Sequence, residues 1–75
     1  MNDKRRTQLR ASRRVLQTER DRLERVRDEE DEARDNMPEN MEGSDRYERS
    51  EECSEAIDNA IDAIDEAIEA IEEAL

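Results

Sequence analysis

Residues 55–75 read EAIDNAIDAIDEAIEAIEEAL. Within this stretch Ile57, Ile61, Ile64, Ile68, Ile71 and Leu75 step by 4, 3, 4, 3, 4. That is the spacing of heptad positions a and d, so all six side chains line one side of one helix. A helix carrying nearly all the large aliphatics of a short chain needs a second helix to cover them. Everything else in the sequence has to serve that seam.

The remaining composition narrows the fold to an all-α one. Only 32% of the 75 residues are apolar, and Ala accounts for eight of them. A chain this short is marginal unless idealised packing, a disulfide, a metal or oligomerisation helps. One Cys allows no intrachain disulfide, and the absence of His removes the usual zinc sites. One Pro, one Gly and one aromatic residue, Tyr47, oppose a β architecture. No run approaches the ~20 apolar residues of a membrane span, and no signal-peptide core follows the N-terminus. A cytoplasmic protein is the expectation. Cys53 falls in register with Ala60, Ala67 and Ala74, and is expected to be a small, partly buried packing residue.

Charge divides the chain into three. Residues 1–27 carry ten basic and four acidic side chains, residues 28–49 three basic and ten acidic, and residues 50–75 ten acidic and none basic, which together give −11. Pro38 disfavours α conformation at Met37, so a first helix over residues 3–36 should stop there. Gly43-Ser44 follows, and then Asp45 with Glu48 three residues on opens a second helix over 45–75. Residues 37–44 connect them, with room for one helical turn after Pro38. The expected fold is a single antiparallel two-helix hairpin over residues 1–75.

Centring that hairpin near residue 40 sets Leu9 against Ile71, Leu16 against Ile64, Leu23 against Ile57 and Ala33 against Tyr47. The basic residues of the first helix then lie beside the acidic residues of the second. The same centring leaves Ile68 opposite Ser12 and Ile61 opposite Glu19, without apolar partners. Burying such a side chain is worth ~1.5–3 kcal/mol, so the mismatch predicts that a second hairpin covers them. Two Ala rows, 56/63/70 and 60/67/74, widen the apolar face beyond what a two-stranded seam needs. The expectation is a homodimer in which two hairpins join through their second helices as a four-helix bundle. Its interface would use Ile57, Ile61, Ile64, Ile68, Ile71, Leu75, Ala60 and Ala67.

Little here points to catalysis. The chain lacks His, Trp and Phe, and a short hairpin encloses no pocket in which acid, base or nucleophile could converge. A bundle di-metal site wants Glu-x-x-His, and the loop from Asp35 to Gly43 lacks the order of a calcium loop. No cofactor or metal is expected. The nine arginines between Arg5 and Arg27 suggest nucleic-acid binding. The net charge and an acidic helix alongside favour neutralisation within the chain instead.

The acidic helix suggests the reverse. Its ten carboxylates from Glu51 to Glu73 come at one per ~3.3 Å of helix, near the ~3.4 Å charge spacing along one DNA strand. No Lys or Arg interrupts them. A solvated face would tolerate alternating signs, so the pattern points to a partner with a basic surface. Asp58, Asp62, Asp65, Glu66, Glu69, Glu72 and Glu73, at positions b, e and f and opposite the Ala rows, are the candidate contacts. The loop from Asn36 to Met41 is another, with Met37 and Met41 as staples under the turn or as an adaptable contact patch.

Residues 28–41, DEEDEARDNMPENM, resemble a group of small acidic helical proteins of Gram-positive bacteria, their phages and mobile elements. In these a D-E-E-rich helix end enters a D-N-[ML]-P-E-[NS]-[LM] connection. Ser44 to Glu48 and the E-A-I helix, Glu55 to Leu75, continue the resemblance, and the Asn36 to Asn40 core is its specific part. The first 27 residues are more Arg-rich than the group's pattern. The resemblance implies a helical hairpin in a phage-linked setting. Taken with the charge, it leads to an expected function: a non-enzymatic inhibitor that binds the nucleic-acid-binding surface of a partner protein, of the anti-defence, anti-CRISPR or DNA-mimic kind. The alternatives are a purely structural coiled-coil protein and nucleic-acid binding through the Arg-rich helix.

Overall fold

In the computed structural model, which describes residues 1–75, two long helices form an antiparallel hairpin. They are α1, Asp3–Asp35, and α2, Asp45–Ala74, with a 3-10 turn, Glu39–Met41, in the connection and no strand. The rod measures 60 × 14 × 12 Å. No helix is long and apolar enough to cross a membrane.

The helix ends follow from local chemistry. Asn2 caps α1 by accepting from the Arg5 amide at 2.8 Å, which satisfies one of the orphan donors of the first turn. At the other end Pro38 blocks continuation, and the Met37 amide turns back to the Arg34 carbonyl at 3.1 Å. Ser44 caps α2, accepting from the Tyr47 amide at 3.2 Å. The cap is thus one residue before the expected Asp45, and Asp45 and Glu48 sit in the first turn, where the helix dipole favours acids. The chain reverses at Gly43, whose φ of 81° is the one left-handed conformation in the protein.

Among the residues drawn from solvent, one series on each helix defines the seam. On α1 they run Leu9, Arg13, Leu16, Arg20, Leu23, Arg27, Glu30 and Arg34, continuing to Met37 just beyond the helix. On α2 they run Tyr47, Ser50, Ser54, Ile57, Ile61, Ile64, Ile68 and Ile71, ending at the C-cap Leu75. From Leu9 upward the first series steps 4, 3, 4, 3; from Leu75 downward so does the second. Two antiparallel seams can interdigitate only where their steps coincide, which layers Leu9 with Leu75, Leu16 with Ile68 and Leu23 with Ile61. Arg13, Arg20 and Arg27 then layer with Ile71, Ile64 and Ile57. Cross-helix ion pairs Arg13–Glu72, Arg20–Asp65 and Arg27–Asp58 fix the same register.

This register differs from the expected one by four residues. Leu16 meets Ile68 rather than Ile64, and Tyr47 meets Met37 rather than Ala33. The physical reason is that Leu9, Leu16 and Leu23 stand at d, as do Ile57, Ile64 and Ile71. In an antiparallel pair d layers with a. The reversal at Gly43, past the middle of the connection, delivers the offset.

The correction removes the supposed mismatch. Ile61 and Ile68, expected to lack partners within the chain, are its two buried apolar residues, 4% and 9% exposed. Ile57, Ile64 and Ile71 are only half-buried, because each lies in a layer with an arginine. There the aliphatic stem can cover the isoleucine while the guanidinium reaches outward. The seam that was expected to join two hairpins is therefore committed to α1.

Candidate partner-binding surface

Heptad numbering sorts the carboxylates of α2 into two populations. Asp58, Asp65 and Glu72 occupy e, next to the seam on the side facing α1. Each follows the isoleucine of an arginine layer and takes that arginine's guanidinium. Arg27 donates through Nη1 to Asp58 Oδ1 at 2.7 Å. Arg20 donates through Nε to Asp65, and its Nη1 lies 3.1 Å from Glu24 Oε1 on its own helix. Arg13 Nη1 stands 3.9 Å from Glu72 Oε1. The hydrogen bond to Asp65 holds the Arg20 pKa above its usual value, and that to Asp58 does the same for Arg27. Three of the seven candidate contacts are thus occupied within the chain.

The other four, Asp62, Glu66, Glu69 and Glu73, are exposed and take part in no ion pair. They stand at b and f together with Glu52 and Glu55, also exposed and unpaired. The result is a carboxylate strip along the outer face of α2, running ~31 Å from Glu52 to Glu73. No cation of α2 interrupts it. Adjacent like charges make the strip repulsive to itself and attractive to a basic surface.

Pairing also thins the basic helix. Arg13, Arg20, Arg27 and Arg34 point at carboxylates of the hairpin, and Arg22 stands 3.6 Å from Glu19. Lys4, Arg5, Arg10, Arg14 and Arg25 remain exposed and unpaired; all but Arg5 fall at e, b and f on the outer side of α1, spread thinly along its length.

Near the turn the seam becomes polar. Ser50 and Ser54 are buried, 5% and 7% exposed. Arg34 Nη1 donates to Ser54 Oγ at 2.9 Å and to Ser50 Oγ at 3.4 Å, while Nη2 donates to Asp31 Oδ1 at 2.9 Å. Ser54 donates in turn to the same carboxylate oxygen at 2.7 Å. The hydroxyl of Ser54, then the guanidinium of Arg34, hold the Asp31 carboxyl below the usual carboxylate range. The hydrogen bond to Asp31 correspondingly raises the pKa of Arg34. No buried side-chain polar atom is left without a partner, as low-dielectric burial requires.

Sequence reasoning missed this layer, singling out neither Ser50 nor Ser54. Their seam spacing from Ile57 was the available signal. Cys53, expected to be partly buried, is exposed, because position g flanks the seam without entering it. Met37 and Met41 are half-buried beneath the connection. Of the assembly residues, Ala60 is exposed and Ala67 half-buried.

Fold and surface together define an antiparallel helical hairpin with an unpaired acidic outer face. Comparison with protein-family models, with curated proteins and with solved structures returns no match.

Proposed function

We propose that this chain is a non-enzymatic acidic protein-binding module whose outer strip on α2 engages a basic, nucleic-acid-binding surface of a partner protein. One observation carries the reading. The hairpin satisfies Arg13, Arg20 and Arg27 of its seam with the e-row acids, yet leaves Glu52, Glu55, Asp62, Glu66, Glu69 and Glu73 in a row broken only by the neutral Asn59 and without counter-charge. Retained like charge costs conformational stability, and binding a cationic partner recovers it. The resemblance of residues 28–41 to phage-linked hairpin proteins supports an inhibitor acting in a host cytoplasm. Joining of two hairpins as a homodimer belongs to the same proposal. The row 60/67/74 lies away from the acidic strip, whereas 56/63/70 borders its Glu52, Glu66 and Glu73 edge, so a four-helix bundle formed through the first row would leave the strip open.

The test uses proteins already selected for basic surfaces. A bacterial extract is fractionated on DNA-cellulose, and the eluted proteins are passed over the immobilised hairpin. Retained proteins should be released by duplex DNA and by salt, because screening weakens exposed charge contacts. Retention should vanish for the variant Asp62→Asn, Glu66→Gln, Glu69→Gln, Glu73→Gln. Equal retention on this variant would contradict the proposal.

A further inference from the structure

Ser50 and Ser54 are the exceptions of the α2 seam. From Ile57 to Leu75 every seam position is Ile or Leu, whereas these two carry hydroxyls at equivalent spacing. The rest of the hairpin repeats every seven residues on both helices. Consider a pairing in which each α1 residue meets the α2 residue seven earlier. Leu9 would meet Ile68 and Leu16 would meet Ile61, again leucine on isoleucine. The ion pairs would be rebuilt as Arg6–Glu72, Arg13–Asp65, Arg20–Asp58 and Arg27–Glu51. Within the repeating part of the sequence only Leu75 loses its partner, falling opposite Asn2 ahead of α1. What further opposes the slip is Tyr47 moving from Met37 to Glu30, Leu23 landing on Ser54, Arg27 landing on Ser50, and Asp31 with Arg34 losing both hydroxyls. A slip the other way drives Glu30 onto Ile61 and leaves Leu9 without a partner.

We propose that the layer of Asp31, Arg34, Ser50 and Ser54 is a register lock, which selects the observed pairing over the one slipped by a heptad. Its geometry suits that task. Arg34 and Asp31, paired with each other along α1, reach Ser50 and Ser54 across the hairpin through three bonds of 2.7–3.4 Å, and those three can form in one register only. A buried polar layer is a poor source of stability next to an apolar one, and fixing register is its best-attested use. The connection does not enforce register by itself, because a slipped pairing needs only that the last turns of α1 join a longer loop, at a small added closure cost.

The natural thiol provides a direct readout. Cys53 and Ala33 line one shallow groove beside the polar layer, so the variant Ala33→Cys should close an intramolecular disulfide with Cys53 under oxidised glutathione at low protein concentration. Val26, one heptad before Ala33, faces position 53 only in the slipped pairing. Val26→Cys should therefore stay reduced in the otherwise unchanged protein. Combined with Ser50→Ile and Ser54→Ile, it should oxidise by at least half, while Ala33→Cys in that background loses a comparable fraction. Ser54→Ile alone, which supplies Leu23 with an apolar partner only in the slipped pairing, should shift the ratio in the same direction. Both backgrounds remain helical by circular dichroism, since Ile fits every other position of this seam. Exclusive bonding through position 33 in both Ile backgrounds would overturn the proposal and assign register to the turn. So would equal cross-linking at positions 26 and 33 in the unchanged seam.

Discussion

Ser54 donates a hydrogen bond to Asp31 across the hairpin at 2.7 Å, and the carboxylate that accepts it is also held by Arg34 at 2.9 Å. The folded-state pKa of Asp31 is depressed, so its contribution is present above the ordinary Asp pKa of about 3.9. That contribution is lost as pH falls through the folded value. Other carboxylates also titrate in acid, where relief of self-repulsion on α2 works the other way. The measurement is therefore the difference in urea midpoint between the wild type and Asp31→Asn. It should be constant at neutral pH and shrink steadily below about pH 4. A difference independent of pH would place the carboxylate outside the folded network.

Burial predicts an alternating cost along the α2 seam. Ile61→Ala and Ile68→Ala should each destabilise by about 2–5 kcal/mol, the usual range for a buried large aliphatic. Ile57→Ala and Ile64→Ala, in arginine layers and half-exposed, should cost visibly less. Urea denaturation at one protein concentration checks this, and equal losses at all four positions would mean the layers are misassigned.

Gly43 carries the left-handed turn. No heavy atom lies within 4 Å of where a Cβ would stand, so Gly43→Ala should cost only backbone strain, about 1–2 kcal/mol. Thermal melts of the two proteins measure it. An unchanged melting temperature would show that the reversal can be made elsewhere.

The ion pairs across the hairpin should orient more than they stabilise. A double-mutant cycle over Arg27→Ala and Asp58→Ala should give a small favourable coupling that fades between low and high salt. A coupling insensitive to salt would require a site drier than a half-buried Arg27 and an exposed Asp58 provide.

Much of this fold is legible in the residues. The 4-3 spacing of the isoleucines, Pro38, Gly43 and the Ser44-Asp45 start locate both helices to within a residue or so. The register was harder, since Leu9, Leu16 and Leu23 repeat with the same period as the isoleucines and several alignments look satisfied. Matching the order of 4 and 3 steps decides among them. So does reading Arg13, Arg20 and Arg27 as seam residues opposite Asp58, Asp65 and Glu72. The candidate surface was half legible: acidity is plain in composition, but only the register separates the e-row acids that the hairpin uses itself from those it leaves free. Ser50 and Ser54 stayed hidden because seam spacing alone does not mark a hydroxyl as buried, and only the partner that satisfies it does.

The central claim is that the two acid rows do different work, and paired neutralisation tests it. One variant neutralises the outer strip at Asp62, Glu66, Glu69 and Glu73; the other neutralises the e row at Asp58, Asp65 and Glu72. Each is scored for urea stability and for retention of DNA-cellulose-selected proteins. The account predicts that the strip variant holds or gains stability and loses retention, and that the e-row variant loses a small, salt-dependent part of its stability and keeps retention. The reverse pattern, or equal loss of retention in both, would contradict it.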